Sequence, residues 1–103
     1  MATRSKRLKP VHPGDLLGRT MRELGISSYA LAKTTGKTPT QIHRIVNRKA
    51  SITANMALLI GKALGTSAKM WMNLQTQYDL EIAELNAPEF EVTPMVANGA
   101  RVV

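Results

Sequence analysis

Five groups of apolar residues, each spaced as one face of a helix, divide most of this chain. The first, Leu16, Leu17, Thr20, Met21 and Leu24, follows Pro13 and stops before Gly25. Proline suits a first helical turn, where its missing N–H costs nothing. A second, shorter helix starts at Ser27 or Ser28, either able to cap free N–H groups, carries Tyr29, Leu31 and Ala32, and ends at Gly36. Thr38-Pro39-Thr40-Gln41 then has the form of a capping box, with Thr38 as N-cap, Pro39 as first helical residue and Gln41 three positions past the cap. Ile42, Ile45 and Val46 form the buried stripe of this third helix.

Residues 48–53 read as a loop closed by Thr53 as the next cap. Met56, Leu59, Ile60, Ala63 and Leu64 then repeat at i, i+3, i+4, i+7 and i+8 up to Gly65. Ser67 caps a fifth helix, in which Trp71, Leu74, Tyr78, Ile82 and Leu85 recur every three or four residues to about Asn86, before Pro88 stops it. The remainder has β-branched residues but also Pro94 and Gly99, and reads as either a short strand or a loose tail. The expected architecture is all-α and five-helical: a flexible basic arm at 1–11, one folded domain at 12–86 and an extended tail at 87–103.

The second and third helices, joined through Gly36, have the makings of a helix-turn-helix. Leu31 and Ala32 supply the small and apolar residues that must face the second helix of the pair, and Gly36 tolerates the positive φ of the turn. The outer face of the third helix carries Thr40, Gln41, His43 and Arg44. Arginine bonds guanine bidentately, glutamine does the same for adenine, and threonine touches a thymine methyl. The N-terminal end of such a helix is the part that enters a major groove. Polar outer faces are common to all helical bundles, so charge has to decide whether this one has a ligand.

Of 103 residues, fourteen are Lys or Arg and seven Asp or Glu, a net charge of +7. The layout is sharper than the sum. Residues 1–69 hold every Lys and Arg except Arg101, against only Asp15 and Glu23, while Asp79, Glu81, Glu84, Glu89 and Glu91 all lie beyond. A basic module of this kind gains from releasing the counterions of a polyanion, and the basic loop Arg48-Lys49 adds to it. The arm, with Arg4, Lys6, Arg7 and Lys9, is either a solvated tail or a clamp on an adjacent groove. The acidic end suits a basic protein partner, although Glu81 and Glu84 themselves read as solvated.

Other chemistry is poorly served. With no cysteine there is no disulfide scaffold, thiolate site or cysteine nucleophile, and His12 and His43 alone make no metal site. His12 is expected near the start of the first helix instead. Asp15 and Glu23 are too far apart for a carboxylate pair, and no glycine-rich phosphate loop occurs, so neither an enzyme nor a cofactor is expected. MATRSKRLKP lacks the apolar run of a signal peptide, and nowhere do 18 apolar residues follow one another, so a cytoplasmic location with no membrane contact is expected.

The run SSYALAKTTGKTPTQIHRIVNRKASIT resembles the helix-turn-helix of the phage-repressor-like (Xre) superfamily. His12-Pro13-Gly14, Ser51-Ile52-Thr53, Ala63-Leu64-Gly65-Thr66-Ser67, Trp71-Met72-Asn73-Leu74-Gln75 and Tyr78-Asp79-Leu80 are similar to the HigA/VapI-type antitoxins within it. The HPG start and the WxNLQxxYDL segment are the specific parts. The resemblance implies a lambda-repressor-like fold and a dimeric repressor that binds a palindromic double-stranded operator and neutralises a HigB-type RNase toxin. It puts Thr40, Gln41 and Arg44 towards base edges, with His43 on the same helix, and Ser28, Lys33, Thr38, Asn47, Arg48 and Lys49 at phosphate-contacting positions. Two residues depart from the pattern: Pro39 stands where some phage repressors have a base-reading Gln, and Arg48 where Gly is frequent. Tyr78, Ile82 and Leu85 extend the fifth helix past what one core requires and are the expected dimer contacts. The alternative function is a stand-alone Xre-type repressor with no cognate toxin.

Overall fold

A computed structural model of the chain describes residues 9–86, 92–97 and 100–101. Residues 1–8 of the predicted arm, and 87–91, 98–99 and 102–103 of the predicted tail, lie outside the described residues. Five helices follow in order: α1 Pro13–Leu24, α2 Ser28–Thr35, α3 Pro39–Val46, α4 Ala54–Leu64 and α5 Ala68–Asn86. In the tail, β1 (Val96–Ala97) pairs antiparallel with β2 (Ala100–Arg101), Val96 opposite Arg101 and Ala97 opposite Ala100. Of the two readings left open for this segment, a short pairing is the one formed. No helix among the described residues is long and apolar enough to cross a membrane.

Each helix begins where a side chain can take up an orphan N–H. His12 Nδ1 accepts from Gly14 N at 2.8 Å, Ser27 Oγ from Ala30 N at 3.0 Å, Thr53 Oγ1 from Met56 N at 3.2 Å and Ser67 Oγ from Met70 N at 3.0 Å. Ser27, not Ser28, is therefore the cap of α2, because its hydroxyl stands three residues before the N–H it satisfies. Gly25, Gly36 and Gly65 close α1, α2 and α4.

Leu17, Met21, Leu31, Ala32, Ile42, Ile45, Ile52, Met56, Ala57, Ile60 and Trp71 form one buried cluster drawing on all five helices. α3 packs on α1 and α2, α4 on α2 and α5, and α5 also on α1. Trp71 is fully buried, and its indole N–H donates to Thr66 Oγ1 at 2.7 Å, so its one polar atom is satisfied inside an apolar setting.

The buried faces depart from the predicted stripes at several places, among them the exposed Tyr29 and Leu85 and the three that follow. Leu24 is 56% exposed: it is the last residue of α1, and the helix has by then run past the neighbours that cover Leu17 and Met21. In α4 the deepest residues are Met56, Ala57, Ile60 and Gly61, with Leu59 only half-buried. Helical rotation of less than one residue separates the two sets. Glu81, expected in solvent, is 6% exposed and accepts from Gln77 Nε2 at 3.2 Å, whereas Glu84 is exposed as predicted. Glu81 stands three residues after Tyr78 and one before Ile82, at the margin of the inward stripe of α5, where burial is a matter of tens of degrees.

Candidate nucleic-acid interface

The turn between α2 and α3 is built by Gly36, at φ 73°, a left-handed conformation that a side chain would strain. Its N–H bonds to Lys33 O at 3.4 Å, and the following Lys37 N–H reaches back to Ala32 O at 2.9 Å, consuming carbonyls left over at the end of α2. Two residues later α3 starts. Its inner face is Ile42 and Ile45, both buried. Its outer face is Thr40, Gln41, His43 and Arg44, all exposed.

The capping box predicted from Thr38 and Gln41 is present in both directions. Gln41 N–H donates to Thr38 Oγ1 at 3.1 Å, and Thr38 N–H donates to Gln41 Oε1 at 2.9 Å. Gln41 Oε1 also accepts from the Thr38 hydroxyl at 3.3 Å. Gln41 is thus part of the start of the helix as well as of its exposed face.

At the other end Arg44 and Lys49 clasp one another. Lys49 N–H donates to Arg44 O at 2.7 Å, and Arg44 Nη2 donates to Lys49 O at 3.1 Å. The intervening Arg48 adopts φ 64°, among the described residues the only non-glycine with positive φ. That left-handed residue is what turns the chain sharply after α3. Arg48 directs its Nε to Asp15 Oδ1 of α1 at 2.9 Å, in an exposed ion pair. The frequent Gly of this position is therefore replaced by a residue whose side chain ties the turn to α1.

The predicted phosphate-contacting residues fall around this helix. Ser28 is half-buried at the start of α2, Lys33 is exposed in its last turn, and Thr38, Asn47 and Lys49 are exposed at the two ends of α3. Between α3 and the start of α4 runs a cleft of about 260 Å³, lined by Lys37, Gln41, Arg44, Ser51, Thr53 and Asn55 over Ile45, Ala50 and Met56. Sequence reasoning misses Lys37 and Asn55. The available signal is position: Lys37 directly precedes one cap and Asn55 lies in the first turn after another. The fifth-helix residues behave differently from one another. Leu85 is 64% exposed, Ile82 is half-buried, and Tyr78 is engaged within the chain, its ring 4.7 Å from that of His12 in an edge-on contact.

His12 itself anchors the loop after α3. Besides capping α1 it hydrogen-bonds the Ala50 backbone and packs on Tyr78, and it is 3% exposed. Burial holds its imidazole below the ordinary value, opposed by the carboxylates of Asp15 and Asp79 and reinforced by Arg48. The neutral ring is the one that fits, because Nδ1 accepts from Gly14. Since the unfolded chain takes up this proton more readily, stability is fully present above pH 6.5 and falls as the pH drops below it. Thermal unfolding between pH 7.5 and 5 should show this loss. His12→Asn, which retains an N-capping acceptor, should lack the component beginning near pH 6.5; an unchanged profile would assign the loss to other groups.

The family HTH_3, described as helix-turn-helix, matches residues 19–71. Over 94 residues the chain is 35% identical to virulence-associated protein I of Dichelobacter nodosus, covering 90% of this chain and 87% of that protein. The solved structure of an addiction module antidote protein of the HigA family from Coxiella burnetii superposes with a TM-score of 0.79 at 36% identity, over 84% of this chain and 99% of the other. Antitoxin HigA of Pseudomonas aeruginosa, solved with the higBA promoter, superposes with a TM-score of 0.78 at 35% identity, over 85% of this chain and all (100%) of that one.

Proposed function

The chain belongs to the Xre-type helix-turn-helix family, in its HigA/VapI-type group, and on that premise we propose that it is a DNA-binding antitoxin. In this reading it represses its own operon as a homodimer on a palindromic site in the cytoplasm and neutralises a HigB-type RNase toxin by protein contact. The observation that carries the DNA-binding part is the outer face of α3, where Gln41 and Arg44 stand exposed one turn apart beside a cleft that also takes in Lys37. Thr40 and His43 flank them, and Ser28, Lys33, Asn47, Arg48 and Lys49 surround the helix with hydrogen-bond donors for phosphate, whereas both donors of Thr38, the other expected phosphate contact, are taken by Gln41 Oε1. The related HigA solved with its promoter supports the same use of the fold.

Dimerisation is supported by the second half of α5. This helix of 19 residues spans about 28 Å. Leu80 and Leu85 are exposed there, and Ile82 is only half-buried. Two-fold pairing along that stretch can set two copies of α3 roughly 34 Å apart, one turn of B-DNA. Toxin binding is supported by charge: Asp79 and Glu84 lie on α5, and Glu89 and Glu91 follow it, against a toxin expected to be basic because it approaches RNA.

Co-expression of the tagged chain with a small basic product encoded beside it, followed by purification and sedimentation, tests this. Retention of that product with a dimeric chain is the expected result. DNA binding without retention would leave a stand-alone repressor, and a monomer at tens of micromolar would remove the two-fold operator.

A further inference from the structure

The capping box limits what Gln41 can say to a base. A glutamine that pairs bidentately with adenine must offer Nε2 to the ring N7 and Oε1 to the N6 amino group. Here Oε1 is already occupied. It accepts from Thr38 N at 2.9 Å and from Thr38 Oγ1 at 3.3 Å, one bond for each lone pair of the amide oxygen. The orientation of the amide is set by chemistry, since the backbone N–H of Thr38 is a donor and only an oxygen can face it. The opposite side of the amide is Nε2, with two hydrogens and no acceptor, carried on an exposed residue at the edge of the cleft.

We infer that Gln41 reads guanine rather than adenine, because the Thr38 capping box takes both acceptor sites of its side chain and leaves a donor alone. Guanine presents N7 and O6 side by side in the major groove, two acceptors for the two hydrogens of one amino group. Thymine presents one acceptor next to a methyl group, and cytosine presents a donor. Arg44, one turn further along α3 and itself a donor only, extends the same character, so this strip of the helix faces acceptors throughout.

This inference rests on the DNA-binding reading above, and the experiment separates the two. The full-length protein and the variant Gln41→Glu are each used to select from a random-sequence duplex library, and enriched sites are compared. The carboxylate of the variant would keep one oxygen for the cap, since Thr-x-x-Glu is itself a capping box, so helix content by circular dichroism should be unchanged. Its second oxygen replaces the donor by an acceptor.

The expected result is guanine at one base pair for the wild-type protein and cytosine on the same strand for the variant, because a carboxylate accepts from the cytosine amino group. Affinity of the variant for the wild-type site should fall roughly 5- to 150-fold for each half-site engaged. Adenine or thymine at the position that changes would overturn the inference. So would the absence of any changed position, which would make Gln41 a cap and nothing more. Failure of the wild-type protein to enrich any sequence would instead remove the DNA-binding reading and this inference with it.

Discussion

Gly14→Ala should destabilise the domain by about 3 kcal/mol or more, a large part of the ~5–15 kcal/mol that holds a domain of this size. Gly14 is the second residue of α1 and is buried. A Cβ there would fall on the carbonyl oxygen of Ile45 and 2.8 Å from its carbon, with His12 Nδ1 at 3.0 Å. The obstructing atoms are backbone, so no rotamer change relieves the clash. α1 and α3 must separate, or the start of α1 must unwind and lose the His12 cap. Gly18→Ala is the control. Its Cβ would meet only side-chain atoms, Val46 Cγ1 at 3.0 Å and Arg22 Nη1 at 3.5 Å, and alanine regains about 0.5–1 kcal/mol of helix propensity. Thermal unfolding should place Gly14→Ala at least ~12 °C below wild type and Gly18→Ala within a few degrees of it. Equal, small shifts would mean that the close approach of α1 to α3 is not what requires glycine at position 14.

Arg44→Ala should be the most damaging single change for DNA binding. A guanidinium bonded to guanine is worth about 1–3 kcal/mol per half-site. In the proposed two-fold complex both copies are lost, so the cost on a symmetric site becomes about 2–6 kcal/mol, roughly 30-fold to more than 10⁴-fold in affinity. The loss should be confined to the preferred sequence, with affinity for unrelated duplex nearly unchanged. Lys49→Ala should behave oppositely, weakening both alike and lowering the salt slope. Fluorescence anisotropy on the selected site and on unrelated duplex, each at two salt concentrations, separates these outcomes. An equal loss on both DNAs for Arg44→Ala would make it a phosphate contact. Arg44 and its partner Lys49 carbonyl are on an exposed part of the surface, so the variant should melt as wild type does.

The helix boundaries were legible because they are decided locally. A Ser or Thr hydroxyl three residues before an N–H, a proline at a first turn and a glycine past a last one act within a few residues of chain. The inward face of α3 was legible for the same reason, as Ile42 and Ile45 show, whereas on α5 only Trp71 of the predicted stripe is fully buried, with Gln75 and Glu81 buried beside it. What depended on contacts distant in sequence was not. Leu24 and Glu81 exchange their expected environments because the reach of the core along α1 and α5 is set by the other helices. Gln41 was legible twice, as a cap and as a base reader, yet nothing in one dimension says that the cap consumes its oxygen. Arg48 reads as one more loop cation, and only folding brings it to Asp15, 33 residues away.

The loop between α3 and α4 is held from outside itself. Ile52 N–H donates to the buried Gln75 Oε1 of α5 at 2.7 Å, and Gln75 Nε2 donates in turn to Asp79 Oδ1 at 2.9 Å. Ala50 is bonded by His12, and Arg48 by Asp15. Three anchors, from α1, the residue before it and α5, thus grip the seven residues 47–53. Opening this loop means breaking bonds to the buried side chains of His12 and Gln75, so its amides should exchange more slowly than those of an unanchored loop. The segment behind α3 should therefore exchange with its neighbouring helices rather than ahead of them, which would present the exposed face of α3 from a persistent part of the fold.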